Sequence, residues 1–390
     1  MAAHFTMKRK RPATELSADQ REAFRIFSES KHLAVFGKPG TGKTALRDAF
    51  AARYPCVLLG PTGTSVQNVF GAYTIARFLG ATVATAGDPG ALARNMRLPF
   101  DVRDRVLVID EIAMVSAFDF VALDAGLKRT LRSDAPFGGL RVVLLGDLYQ
   151  LRPPTQSAVT FFFETAAYSG LERAGLQIHN LTTQHRQTGP ENAAFLPFLD
   201  EARACKLGTA SHDLLLNRLN KKAFAADALH LFARNADASR HNAHMLKAMD
   251  GTERTVCGFK CKRGAKVVLT RNVYKNRKLL YTNGTFGVIE NVKAQSVTVR
   301  IAHEIHEVKP FANALPIALA WATTIHKVQG KTLRNVVVHG DNIFEAGQAY
   351  VGVSRASSLA GLSTRNLHPD DFELPYSAKL RTFAADNGVL

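Results

Sequence analysis

The run Gly37-Lys38-Pro39-Gly40-Thr41-Gly42-Lys43-Thr44, entered directly from Leu33-Ala34-Val35-Phe36, restricts what this chain can fold into more than any other stretch. A short apolar run, a glycine-rich turn and a helical pattern in that order read as strand, phosphate loop and helix. Glycines at 37, 40 and 42 let backbone amides, that of Thr41 among them, close around phosphate oxygens while the helix points its positive end at them. In such a loop Lys43 neutralises the β and γ phosphates of ATP and Thr44 ligates Mg2+.

The flanking segments predict an α/β fold. Short apolar runs at Cys56-Val57-Leu58-Leu59, Val106-Leu107-Val108-Ile109 and Val142-Val143-Leu144-Leu145 alternate with helical patterns, as a parallel sheet covered by helices requires. A second set starts at Leu229-His230-Leu231-Phe232 and returns at Val336-Val337-Val338, with β-like runs and an Asn283-Gly284 turn between them that read as a small inserted β-barrel. The expected division is a basic arm over 1–15, a first domain over 16–180, a second over 181–265 and 310–390, and the insertion over 266–309. Ser17 starts a helix, with Gln20 placed three residues later as a capping box needs.

A chain of 390 residues with 46% hydrophobic content exceeds one compact core. Its net charge of +17 suits a polyanion such as nucleic acid, and equally a solubilising surface. Four irregularly spaced cysteines argue against a disulfide framework and for a reducing compartment inside the cell. His241, His244, Cys257 and Cys261 match no standard zinc spacing. With no membrane-length apolar run and no signal-peptide core, the expectation is a protein that is neither membrane-bound nor secreted. Lys8-Arg9-Lys10-Arg11-Pro12 reads as a nuclear import signal, a solvated tail or an extra phosphate contact.

Further motifs add chemistry. Asp110-Glu111, ending a buried strand, offers one carboxylate for the metal and one to activate water. After the fourth strand, Gln150 is placed to sense the γ phosphate and Asp147 to orient the loop. Arg186 and Arg355 are candidates to reach the phosphates from the second domain. Around the insertion, Arg271, Lys275, Arg277 and Lys278 interleave with Tyr274 and Tyr281, a mixture suited to phosphate contact and base stacking or to a solvated hairpin.

Gly60-Pro61-Thr62-Gly63, Asp110-Glu111-Ile112-Ala113-Met114, Pro136-Phe137-Gly138-Gly139, Gly146-Asp147-Leu148-Tyr149-Gln150-Leu151, Thr324-Ile325-His326-Lys327-Val328-Gln329-Gly330 and Tyr350-Val351 with Ser354-Arg355 occur in one order. On these the chain resembles the petite-integration-frequency family of DNA helicases, in the branch of superfamily one that includes RecD-like and Dda-like enzymes, from Ser17 to about Leu362. The resemblance implies two RecA-like domains, an SH3-like insertion, a short wedge over 80–101, and ATP-driven 5′-to-3′ movement on single-stranded DNA with unwinding of forked duplex by a monomer. It also implies that Gln20 reads the adenine, that Gly330 borders the nucleotide, and that Pro61, Thr62, Gly63, Thr324, His326 and Lys327 line the DNA track. Three positions depart from the family pattern: Thr74-Ile75-Ala76 lacks a histidine and with it a possible DNA contact, while Ala113 and Val328 each replace a serine. An RNA helicase and a translocase that remodels protein–DNA complexes without unwinding remain as alternatives. A small-molecule kinase has no need of the second domain's motifs, and a simple binding module has no need of the hydrolytic set.

Overall fold

Runs apolar at every position, such as Val106-Leu107-Val108-Ile109, are stable only in a sheet covered on both faces. A computed structural model describes residues 15–63, 65–66, 71–81, 88–153, 161–187, 189–275, 278–281 and 283–389, and buries all four of those residues. The first sheet contains β1 (His32–Gly37), β2 (Cys56–Gly60), β3 (Tyr73–Thr74), β4 (Val106–Ile109), β5 (Arg141–Gly146) and β6 (Leu176–Leu181), all parallel, in the order β3-β2-β4-β5-β1-β6. Because β4, β5 and β1 are neighbours, the segments that follow them emerge side by side at the carboxyl edge, where ligands bind in open α/β sheets. On one face α1 (Ala18–Glu29) and α2 (Lys43–Arg53) bury Ala23, Phe27, Leu46 and Phe50 against Leu33 and Val35. The opposite face is covered by helices that include Ala117–Leu131.

The second parallel sheet opens with β7 (Leu229–Phe232). The chain then leaves it through the hairpin β8 (Arg254–Val256) and β9 (Phe259–Cys261), β10 (Lys266–Leu269), the ribbon β11 (Val273–Lys275) and β12 (Lys278–Tyr281), then β13 (Phe286–Val292), β14 (Val297–Ile301), β15 (Glu304–Val308) and β16 (Ile317–Leu319). It returns through β17 (Ala322–Thr324), β18 (Val336–His339) and β19 (Leu362–Arg365), giving the order β17-β7-β18-β19. Five of the excursion's strands form an antiparallel sheet ordered β15-β14-β13-β10-β16.

Two boundaries differ from the expectation. The sequence pattern puts the insertion over 266–309, but β16 pairs with β10 and Ile317 joins Val267 and Leu269 in one apolar cluster, so the inserted sheet runs past 309. Residues 310–390 were assigned to the second domain, but the helix Ala378–Asp386 packs on the first. Leu380, Ala384 and Val389 join the first sheet's core, and the Phe383 ring stacks on Phe163 at 4.1 Å. The 3.6-residue period marks that helix as amphipathic without saying which sheet it covers.

Of the wedge expected over 80–101, residues 82–87 lie outside the described residues. The helix Pro89–Asn95 lies against Ala117–Leu131, with Leu92 and Met96 buried. The Lys8–Arg11 run and Arg277 also lie outside the described residues. Among those described, no helix is long and apolar enough to cross a membrane.

Candidate nucleotide site and nucleic-acid interface

The phosphate loop links β1 to α2 and is packed from outside by the segment after β6. Gly40 has φ +92°, and a Cβ there would fall 1.9 Å from Gln184 Oε1, so both the backbone conformation and the space demand glycine. Gln184 Nε2 donates to Pro39 O at 3.0 Å and His185 N to Gly40 O at 2.9 Å. Thr41 Oγ1 donates to Lys38 O at 2.9 Å, and the Lys43 ammonium to Gly37 O at 2.6 Å and Lys38 O at 2.9 Å. Burial lowers the Lys43 pKa against the pull of Asp147, Glu111 and Asp110. Gln20 makes the expected capping contact, its Oε1 accepting from Ser17 N at 3.0 Å, while its Nε2 donates to Gly42 O at 3.1 Å and ties the start of α1 to the loop.

Asp110 and Glu111 follow β4 directly. Asp110 Oδ1 accepts from Glu111 N at 2.9 Å, and its Oδ2 pairs with Arg47 at 2.8 Å. Arg47 stands one helical turn beyond Lys43 on α2 and was not singled out from sequence. The i, i+4 spacing from Lys43 is the signal that would have found it. Although burial opposes its charge, Asp110 and Asp48 outweigh it and raise the Arg47 pKa. Glu111, at φ +53°, is pushed the other way: burial first and Asp110 second raise its pKa. Gln329 Nε2 donates to Glu111 Oε2 at 3.3 Å, and Gly330 (φ +78°) lies so close that a Cβ would meet Glu111 Oε1 at 3.0 Å. Thr44, Arg47, Asp110, Glu111 and Gly330 line one cavity of ≈ 490 Å³ whose far wall is Gly284-Thr285-Phe286 of the insertion.

Asp147, after β5, is fully buried and joins the two halves of the molecule. Its Oδ1 pairs with Arg203 at 3.1 Å, while its Oδ2 accepts from Tyr350 Oη at 3.3 Å and Gln150 Nε2 at 3.3 Å. Burial raises its pKa, but Arg203 and Lys43 reverse the effect and leave the carboxyl below its ordinary range. Arg203 carried no sequence signal, because its meaning depends on a partner 56 residues away. Gln150 Oε1 and Gln329 Oε1, both buried acceptors, have no hydrogen-bond partner among the described residues.

Arg186 and Arg355 both reach this region. Arg186 Nη1 lies 3.5 Å from Ser354 O, and its Cβ lies 2.9 Å from where a Cβ on Gly40 would stand. Burial and the neighbouring Arg355 push its pKa down to about 10. Arg355 is buried, with Nε donating to Val351 O at 2.9 Å and Nη1 to Lys331 O at 3.3 Å. The structure thus gathers Gln20, the loop residues, Asp110, Glu111, Gln150, Arg186, Gly330 and Arg355 at one cleft between the two parallel sheets.

The residues expected on the DNA track do not all share one environment. Pro61, Thr62 and Gly63 form a half-buried turn after β2, in which Ser65 N donates to Thr62 Oγ1 at 3.3 Å. Lys327 is exposed and bonded to Asn235 at 3.1 Å, and His326 Nε2 lies 3.2 Å from Glu345 Oε2. Thr324, however, is 3% exposed, because the alternation along β17 turns it into the sheet while Thr323 is only half-buried.

A model of the AAA domain matches residues 15–213, just over half of the chain. The human ATP-dependent DNA helicase PIF1 is 28% identical over 415 residues, covering 91% of this chain, which spans 61% of the human protein's length. The ATP-dependent DNA helicase Pif1 of Bdellovibrio bacteriovorus is 27% identical, with 91% of this chain and 89% of that protein covered. Among solved structures, one describing DNA unwinding at forked dsDNA by two coordinating Pif1 helicases superposes with a TM-score of 0.78 at 25% identity, covering 96% of this chain and 98% of that one. The chain belongs to the family of this AAA-domain model, and its relatives set it with the PIF-type helicases of superfamily one.

Proposed function

We propose that this protein is an ATP-dependent DNA helicase that moves 5′-to-3′ on single-stranded DNA and opens forked duplexes, working as a monomer inside the cell. The observation that carries the reading is the composition of the cleft. A phosphate loop and an acidic pair from the first sheet meet Arg186, which follows β6, and Arg355 of the second domain; burial lowers the proton affinity of both guanidiniums and Arg355 lowers that of Arg186 further, electrostatics suited to a polyanion. The donor set fits nucleotide and magnesium: Thr44 and Asp110 line the same cavity, and the unpartnered Gln150 Oε1 and Gln329 Oε1 are suited to hold a water. Magnesium-bound ATP would supply the phosphoryl group whose transfer to water drives the cycle.

Within that site Glu111 accepts the proton of the attacking water, and its raised pKa brings its basicity toward the working range. Gln329 holds the carboxylate and Arg186 and Arg355 offset charge on the phosphates. Since Arg355 is already anchored to the carbonyls of Val351 and Lys331, a small relative movement of the two sheets carries it toward or away from the phosphate loop. Each base-pair step opened costs about 1.4 kcal/mol of stacking, a small load for nucleotide hydrolysis.

Strand displacement on duplexes with a 5′ or a 3′ single-stranded tail, beside Lys43→Ala, tests this directly. Unwinding only from the 5′ tail and lost in the variant is expected. ATP hydrolysis stimulated by DNA without unwinding of either substrate would instead mark a translocase, and preference for RNA tails an RNA helicase.

A further inference from the structure

The insertion's Asn283–Phe286 turn lies between the two ends of the proposed machine. On one side Asn283 Nδ2 lies 3.5 Å from where a Cβ on Gly63 would be, in the turn assigned to the DNA track. On the other, the Lys331 ammonium donates to Gly284 O at 3.1 Å and stands 5.3 Å from the centroid of the Phe286 ring, which is 38% exposed. Lys331 itself lines the cavity that holds Thr44, Asp110 and Glu111. Its own carbonyl accepts from Arg355 Nη1 at 3.3 Å, and of the two residues before it Gln329 donates to the Glu111 carboxylate at 3.3 Å, while Gly330 lies close enough that a Cβ on it would meet that carboxylate at 3.0 Å.

Resting on the function proposed above, we infer that Lys331 is a positioning residue that couples DNA held against the insertion to the hydrolytic groups. When the 283–286 turn shifts against the track, its grip on the Lys331 ammonium moves the Gln329–Lys331 backbone, and with it the groups that set Glu111 and Arg355. The neighbours form one short chain: Gly63 beside Asn283, Gly284 bonded to Lys331, and Lys331 bonded to Arg355 and following the Gln329 that holds Glu111. A lysine serves where an uncharged residue would not. The Gly284 carbonyl and the Phe286 ring face together form an electronegative seat, and an ammonium donates to the one while lying over the other.

Coupling of this kind is reciprocal, so it is read in binding alone: whatever factor a nucleotide imposes on DNA affinity, DNA imposes on nucleotide affinity. The test uses the full chain, a fluorescent oligothymidylate and a non-hydrolysable ATP analogue. Each Kd is measured with and without the other ligand for the wild type, Lys331→Ala, Lys331→Arg and Phe286→Ala. The expected result is a mutual shift in the wild type, of about fivefold or more. Lys331→Ala should abolish it in both directions, Lys331→Arg should largely retain it, and Phe286→Ala should reduce it. A lysine that merely braces the insertion would change single-ligand affinities and leave the mutual shift intact, and that result overturns the inference. Should Lys331→Ala fail to fold, an unchanged shift in Phe286→Ala, an exposed position, overturns it equally. A wild type that binds both ligands without mutual effect removes the coupling while leaving the helicase reading in place. One that binds no DNA removes both.

Discussion

Glu111 shows at the scale of a single residue how function is set against stability. Burial and the adjacent Asp110 raise its pKa, so between the ordinary carboxylate value and the raised one the folded protein holds a proton that the unfolded chain releases. Ionising the carboxylate therefore costs folding free energy. The cost is absent below the ordinary carboxylate range, grows as pH rises through the window up to the raised value, and is complete above it. Glu111→Gln should accordingly abolish turnover while retaining ATP binding. It should also stabilise the protein at neutral pH by on the order of 1 kcal/mol, with the gain shrinking to nothing as pH falls toward the ordinary carboxylate range. Thermal melts of both proteins across pH 4–8 check this, and a gain that grew on acidification would contradict the assignment. The neighbouring Asp110 is paired with Arg47 at 2.8 Å.

Among the elements, those most legible in the sequence were the strands that reveal themselves without knowing their neighbours. Leu33–Phe36 and Val106–Ile109 are apolar throughout, and each ends in a motif whose chemistry fixes its place at the sheet's edge. The residues that only a partner explains were not legible. Arg203 ends the helix Phe195–Arg203, which belongs to the second core, yet its guanidinium pairs with the buried Asp147 of the first domain and lies 4.2 Å from the Tyr149 ring centroid. Arg203→Ala would leave Asp147 buried and unpaired, a loss of about 3 kcal/mol or more at neutral pH. The loss should diminish as pH falls toward the ordinary aspartate range, because burial without Arg203 moves the Asp147 pKa up and lets it take up a proton instead. Urea unfolding read at pH 7 and pH 4 tests this. Asp147→Asn added to Arg203→Met should recover much of the loss, because no unpaired charge then remains.

On the scale of the whole molecule, the chain crosses between its two parallel sheets twice: once after β6, and again when residues 374–389 return to the first core. The return is anchored by Tyr376 Oη donating to Tyr149 O at 2.6 Å, by Asn180 Nδ2 donating to Asn387 O at 2.9 Å, by Lys379 paired with Glu164 at 2.5 Å, and by Phe383 stacked on Phe163. Sequence placed this helix with the second domain because nothing in its own pattern says otherwise; Leu380, Phe383 and Ala384 would suit the face of either sheet. Two covalent crossings, with Asp147 and Arg203 paired between them, tie the unfolding of one sheet to that of the other. Calorimetry of the intact chain should therefore give one dominant transition. Ending the chain after Glu373 removes the second crossing and uncovers Phe36, Phe163 and Tyr168, ring neighbours of Phe383. With that apolar surface exposed, the first sheet should melt early and apart from the second, giving two resolved transitions. A single transition displaced to lower temperature would mean instead that the cleft contacts alone hold the halves together, and that the returning helix adds stability without adding cooperativity.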